Sequence, residues 1–558
     1  MKISTIALAV TLAAMPVAAQ AQSAAPQTWI HAGRVIAIPG QAPRGATTIV
    51  VADGKIVSLQ DGYVPAPAGA KAIDLKDKTV LPGLIDSHTH LSSDRAGNEG
   101  IVAMVTEGMP MHALETYWNG MKTLRAGFTT VRNLGDDGGK VLALKEAIKR
   151  GWVQGPRIID AGDSISTTGG HMDGRVGMAD ELHGIVGTEN LCDGADDCRR
   201  AVRRQIGRGA DVIKFATTGG VNSGTGLATR MVEDEARALV ETAHAYGRKV
   251  AVHAHGLDGI KLAVRAGANS IEHGTTIDEE TAKMMAKAGT YYVPTLSTVN
   301  GYLERLAANP NAYPPAIKAQ IDWRIGVTGK SLQIAYPLGV KIAYGTDAGV
   351  SKHGRNADEF ELLVKFGMPP MEAIKAATVN AATLLGVEKE TGTLEAGKAA
   401  DIIAVSGDPL ADVKVLKSMK FVMARGEVIV GPTGGLYLGT TPRDNWIERV
   451  QVDDIGDRAQ CDATGYTHGV AIERHGASTV WIPHANLLSV ATTNRAAGKV
   501  MHAGGLLAFD WALPGGQELT TALRADDKGD YPHWLVAYPG LPAESAPDTT
   551  TTDPDAAE

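Results

Sequence analysis

The chain has 558 residues, a formal charge of −8, an apolar fraction of 44% and three cysteines. That length exceeds an ordinary single domain, and a mean hydropathy of −0.06 with an ordinary charged fraction excludes a mostly disordered, collagen-like or polytopic membrane protein. Three cysteines are too few for a disulfide-dense scaffold, and the mildly acidic balance gives no reason to expect nucleic acid as a partner.

The chain opens with MKISTIALAVTLAAMPVAAQAQ, in which Lys2 precedes an apolar run to Ala14 and then small residues. Ala19-Gln20-Ala21 fits the small-x-small cleavage rule, so residues 1–21 read as a signal peptide. The run falls short of the roughly 18–20 apolar residues that a span needs. A periplasmic or secreted protein with no membrane anchor in the mature chain is expected.

Residues 28–80 read as short strands with turns, the first part of a β-sandwich. From 81 to 390 one phrase recurs: an amphipathic stretch ends in glycine and a short β-branched run follows. It is seen at Gly127, Gly209, Gly247, Gly267, Gly289 and Gly339. Glycine just past a helix closes the last turn, and the apolar run then reads as a buried strand. The runs LIDSHTH, FTTVRNL, RIIDAG, VIKFATT, VAVHAH, SIEHGT, YYVPTL and IAYGTD number eight, the count of a (β/α)8 TIM barrel. An open doubly wound sheet is disfavoured, because no GxGxxG follows the first strand. Within this region Cys192 and Cys198, in LCDGADDCRR, are close enough to bridge across a short turn in an exported protein. Residues 391–430 return to short strands, the second part of the sandwich, and the two flanks could pair into one sheet.

In such a barrel the active site forms at the C-terminal strand ends. Those ends carry His88, His90, Lys214, His253, His255, His273 and Asp347. Imidazole and carboxylate donors converging on one face suit divalent first-row metals, zinc above all. His88 and His90 are two apart, so on a strand they point the same way. Lys214 is the least expected, since a lysine ending an apolar strand is costly to bury as a charge.

These residues lie in LPGLIDSHTH (81–90), TTVRNLG (129–135), KFATTGG (214–220), VAVHAHG (250–256), SIEHGT (270–275) and GTDAG (345–349). With AATVNAATLLG (376–386) and GTLEAGKAADIIAV, the set resembles the amidohydrolase superfamily over residues about 28 to 430. The resemblance implies a barrel plus a small β-sandwich from both flanks and a binuclear metal-dependent hydrolase. In its two-metal members the strand-four lysine is carboxylated by carbon dioxide, and the carbamate bridges the ions. Carried over, His88, His90 and Asp347 hold one ion together with carboxylated Lys214. His253 and His273 hold the second with the same carbamate. His253 is preferred to His255 because it follows the strand directly, as in the family pattern. Two ions sharing a water lower its pKa, and Asp347 would act as general base and then general acid.

Within the superfamily, VAVHAHG, IEHG and TGGHMDG (168–174) look most like the Xaa-Pro/Xaa-Arg dipeptidase and carboxypeptidase-like group, which includes ochratoxin hydrolases. What this implies is a small-molecule substrate with an amide or imide bond beside a free carboxylate. His171 and His255 are the expected substrate contacts. Arg175, Arg355 and His353 lie in loops where a carboxylate could bind. A tyrosine seen in some relatives after strand four has no counterpart in NSGTGLATRM (222–231). A lactonase or phosphotriesterase-like esterase on the same two-metal core is the alternative, and a one-metal cyclic deaminase a more distant one. A homo-oligomer stays open.

Residues 431–558 fall outside the resemblance and form an unassigned C-terminal extension. They hold 17 acidic against 8 basic residues, so the acidity of the chain belongs to this extension and says nothing of the substrate. Trp446, Trp481, Trp511 and Trp534 argue against simple disorder, although no repeat or motif is evident. The last stretch, ESAPDTTTTDPDAAE, is expected to be disordered.

Overall fold

A computed structural model describes residues 27–535, apart from positions 69, 96–97, 136–137, 432, 453, 466–468, 527 and 532–533. The signal peptide expected at 1–21 and the final acidic stretch lie outside the described residues. Among those residues, no helix is long and apolar enough to cross a membrane.

In chain order the strands that build the site are β1 (Thr28–Val35), β2 (Thr47–Ala52), β3 (Lys55–Asp61), β4 (Lys71–Pro82), β5 (Leu84–Thr89), β6 (Phe128–Asn133) and β7 (Arg157–Asp160). They continue as β8 (Val212–Ala216), β9 (Lys249–Ala254), β10 (Ser270–His273), β11 (Tyr291–Val293), β12 (Ile402–Ser406), β13 (Met419–Ala424) and β14 (Glu427–Val430).

The two flanks make one seven-stranded sheet in the order β14-β13-β12-β4-β1-β2-β3. Its seam is the antiparallel ladder from Ile402↔Pro82 to Ser406↔Lys78. The sheet curls, so that Ile56 N donates to Lys398 O at 2.9 Å and Gly397 N to Ile56 O at 2.8 Å. Ile30, Ile49, Val80, Ile402 and Phe421 fill the space inside it. Because β4 runs on to β5 through Gly83, the same seam fixes where the first barrel strand begins.

The barrel strands pair parallel in two arcs, β5-β6-β7 and β8-β9-β10-β11. All but β7, whose Arg157 and Ile159 are half-buried, are buried along nearly their whole length, the pattern of parallel strands covered by helices on the outside. Helices of the recurring phrase end where the sequence indicates, with Gly209, Gly267 and Gly289 in the left-handed conformation at their C-termini. The eighth expected strand, IAYGTD, is not a regular strand, yet its backbone joins the arcs. Ala343 N donates to Tyr292 O (3.0 Å), Ser87 N to Tyr344 O (2.8 Å) and Asp347 N to His88 O (2.8 Å). Regular pairing fails for two local reasons. Gly345 lies so close to its neighbours that a Cβ there would meet Val293 at 2.4 Å, and Asp347 has φ +58°. On the other side Ile165 N donates to Lys214 O at 2.8 Å, linking the arcs beyond β7. A disulfide joins Cys192 to Cys198 at the start of helix Ala195–Arg208.

The C-terminal extension is an ordered unit. Its seven-stranded antiparallel sheet spans Thr433 to Ala525. Its core comprises Tyr437, Phe509, Trp511, Leu523 and Trp534 among others. Both buried indoles are satisfied: Trp511 Nε1 donates to Thr521 Oγ1 and Trp534 Nε1 to Thr433 Oγ1, each at 3.0 Å. Cys461 is buried in the same core as a free thiol, packing as a small apolar group.

Candidate active site

Strand alternation places Asp86, His88 and His90 on one face of the chain through β5. Asp86 is committed to structure, accepting from Thr346 Oγ1 (2.6 Å) and Asn356 Nδ2 (2.8 Å). This clamps β5 to the 345–349 segment and so sets His88 and His90 against Asp347. The Nε2 atoms of His88 and His90 lie 3.5 and 3.2 Å from Asp347 Oδ1.

A second group faces the first. One ring nitrogen from each of His253, His255 and His273 lies within 4.8 Å of the others. His273 needs an irregular backbone to join them. Its predecessor Glu272 already points inward, so regular alternation would turn His273 away. Its φ of +69° brings both side chains to the centre. Tyr292 OH donates to His273 O at 3.0 Å, and Thr295 Oγ1 sits 2.8 Å from His273 Nδ1, which holds the ring in that strained position.

Lys214 lies between these groups, 1% exposed, and its Nζ has no hydrogen-bond partner. Burial pulls its pKa down to about 8, against the opposing pull of Glu272 and Asp347. His88 Nε2 is likewise buried and unpartnered. Two orphaned buried nitrogens in one site are expensive unless something binds them.

The electrostatics favour the forms that ligate metals. Burial, followed by the charge of Lys214, lowers His88 to about 4. Burial and the neighbouring imidazoles hold His253 and His273 well below the usual histidine range. All three rings are therefore neutral near pH 7, with lone pairs available. Burial raises Asp347, but His88, His90 and Lys214 outweigh it and hold the carboxyl at about 2, as an anion.

Two residues that motif reading passed over support this arrangement. Glu272 accepts from Arg132 at 2.8 Å and contacts His88 Nδ1 at 2.8 Å, with all three side chains buried. Burial would raise Glu272, but Arg132 and His88 keep it ionised, at about 2. The signal was present in the sequence, because a charge inside FTTVRN and another inside SIEH are as anomalous as Lys214 in VIKFA.

Of the expected substrate contacts, His171 stacks on His253 with centroids 4.1 Å apart, and its Nδ1 is 3.0 Å from Ser223 Oγ. The ring fits there because residue 220 is glycine; a Cβ would meet it at 2.0 Å. His255 joins the three-histidine group, its Nδ1 2.8 Å from Thr275 Oγ1. The three loop residues that could bind a carboxylate are otherwise engaged. Arg175 pairs with Asp173 (2.8 Å), and Arg355 pairs with Glu304 and Asp358. His353 is buried behind the site, 3.0 Å from His90 O and 3.1 Å from Thr123 Oγ1, so it braces the segment that carries His88 and His90 rather than a ligand.

Comparison with known proteins agrees with this geometry. Residues 79–429 match the Amidohydrolase family, and residues 420–539 match a family described as Bacterial PH domain-like. An ochratoxinase from Aspergillus niger is 33% identical over 436 residues, spanning 73% of this chain and 87% of the relative. The crystal structure of a Xaa-Pro dipeptidase with methionine bound in its active site superposes with a TM-score of 0.68 at 38% identity, covering 72% of this chain and 99% of that one. A prolidase complexed with N-methylphosphonate-L-proline gives 0.65 at 31% identity, with coverage of 72% and 99%.

Proposed function

The chain belongs to the amidohydrolase family, and on that premise we propose that it is an exported, metal-dependent hydrolase of an amide or imide bond next to a free carboxylate. Dipeptides, N-acyl amino acids and ochratoxin-like conjugates share that bond. The observation that carries the reading is the pair of orphaned buried nitrogens, His88 Nε2 and Lys214 Nζ, set among neutral imidazoles and the Asp347 anion.

The donor set fits two divalent ions, and its nitrogen content favours zinc. His88, His90 and Asp347 would hold one, His253 and His273 the other, with carboxylated Lys214 serving both. Carboxylation suits this lysine: with its pKa brought down to about 8, a useful fraction of Nζ is neutral near pH 7. Nζ would first give up its ammonium proton; the neutral amine would then attack carbon dioxide, a nitrogen–carbon bond forming as one carbon–oxygen π pair moves onto oxygen, and a second proton would leave to solvent. A buried cation thereby becomes an anionic ligand. When bound, the metals supply Lewis acidity, which lowers the pKa of water and polarises the scissile carbonyl.

Asp347 is ionised and can take the proton of the attacking water, then return it to the departing nitrogen. Its left-handed backbone aims the carboxylate at the site rather than along the strand. His171, held by Ser223 over His253, is placed to touch the substrate, and His255 is the next such group. Glu272 and Arg132 keep His88 in one orientation and tautomer. Export rests on the leader-like residues 1–21.

A substrate panel tests the reading: Xaa-Pro dipeptides, N-acyl amino acids, an ochratoxin-type amide and simple lactones. Amide turnover well above lactone turnover is expected; lactones turned over in preference to every amide would overturn it.

A further inference from the structure

Arg324, on helix Pro315–Val327, is 3% exposed. A guanidinium with five N–H donors cannot lose its charge, so burial demands an anion or a full set of acceptors. Two other deeply buried arginines obey this, Arg132 with Glu272 and Arg474 with Asp454. Arg324 does not. Among the described residues no ion pair joins it to a carboxylate, and its side chain donates to Thr328 Oγ1 at 3.1 Å and to the carbonyls of Thr295 and Pro294 at 3.4 and 3.5 Å. The last two are long for hydrogen bonds. The acid beside the same segment, Glu359, spends its oxygens on the N–H groups of Leu296 and Ser297.

The position of this unpaired cation relates it to the site. Its acceptor Thr295 ends the seventh strand run and contacts the His273 ring through Oγ1. Thr295 has φ +47°, so a strained residue serves the metal-facing histidine with its hydroxyl and Arg324 with its carbonyl. The charge of Arg324 reaches the buried Tyr302, which also feels Asp347.

We infer that Arg324 is the anchor for the substrate's free carboxylate, on the His273 side of the metal-facing cluster. This deepens, and rests on, the proposed hydrolysis of a bond beside such a group. The guanidinium then selects N-acyl amino acids and dipeptides over neutral amides, through a charge-assisted contact. It acts on binding and orientation and touches no reacting bond.

The probe pair is hippuryl-L-phenylalanine and its C-terminal carboxamide, compared in the zinc-loaded full chain by the ratio of kcat/KM values. The wild type is expected to prefer the acid by about 10- to 100-fold, the range of a charge-assisted contact. Arg324→Met brings the ratio close to one. Arg324→Lys, which keeps a charge in the helix and guards against misfolding, gives an intermediate ratio through a higher KM for the acid. A wild type without acid preference, or variants that lose both activities in proportion, overturns the anchor while leaving the hydrolytic reading intact. If neither compound is cleaved, calorimetric binding of the same pair decides. Acid-selective binding that disappears in Arg324→Met supports the anchor, while the substrate panel decides the hydrolytic reading; no acid-selective binding overturns the anchor.

Discussion

His88 Nδ1 lies 2.8 Å from Glu272, a residue 184 positions away in the chain, and this contact turns His88 Nε2 toward Asp347. The first and sixth strands are thus coupled through one carboxylate, which is itself tied to Arg132 on the second. Three strand ends behave as one charge-balanced support for the site. Glu272→Gln keeps the shape and removes the anion. It is expected to lower zinc affinity by about 10- to 100-fold, read by competition with a chromophoric chelator. Unchanged affinity would show that Glu272 only packs.

Lys214→Ala removes the group proposed to carry the carbamate. Bound metal and turnover should both fall, and short carboxylic acids such as acetate should restore part of the activity by entering the space left. Metal content measured by atomic absorption that stays at the wild-type level in this variant would count against the carbamate.

Stability carries its own pH signature at Glu359, whose oxygens accept from the N–H groups of Leu296 and Ser297. Burial pushes its carboxyl up to about 7 from an ordinary value of 4.5. The folded state therefore holds this proton more tightly than the unfolded chain. Its contribution is fully present below about pH 4.5 and is lost as pH rises through 7, by an amount on the order of 3 kcal/mol. Denaturant unfolding of the wild type and Glu359→Gln at pH 5 and pH 8 reads this directly. The wild type should lose stability relative to the variant at the higher pH; a flat or inverted difference contradicts the assignment.

The C-terminal sheet has its own core, and none of the site residues belongs to it. A chain ending at residue 430 should therefore keep kcat/KM within about twofold on any substrate the full chain cleaves, and residues 433–535 alone should give near-ultraviolet dichroism from packed tryptophans. Loss of activity on truncation would mean that the C-terminal unit shapes the site.

Much of the site is legible in the sequence because barrel geometry converts strand-end positions into neighbours. His88 and His90 declare themselves by a spacing of two, and Lys214 by sitting where a cation does not belong. Glu272 and Arg132 stand out as charges within apolar strands, but their roles, like that of Arg324, are not so read. Their meaning lies in partners more than a hundred residues away or, for Arg324, in the lack of one. The irregular eighth strand is hidden for another reason: a glycine flush against its neighbours and a left-handed aspartate leave the apolar pattern intact while breaking the ladder. The C-terminal unit escapes periodicity because strands such as Thr433–Pro442 are built largely of glycine and threonine, and bury few large side chains.

Metal dependence is the center of the account, and one titration tests it most directly. The purified full chain is stripped with a chelator and assayed for Xaa-Pro dipeptide hydrolysis while zinc is returned. Activity should vanish on stripping and return in full only as two equivalents of zinc per chain are bound; hydrolysis that persists at the original rate in the stripped protein would contradict it.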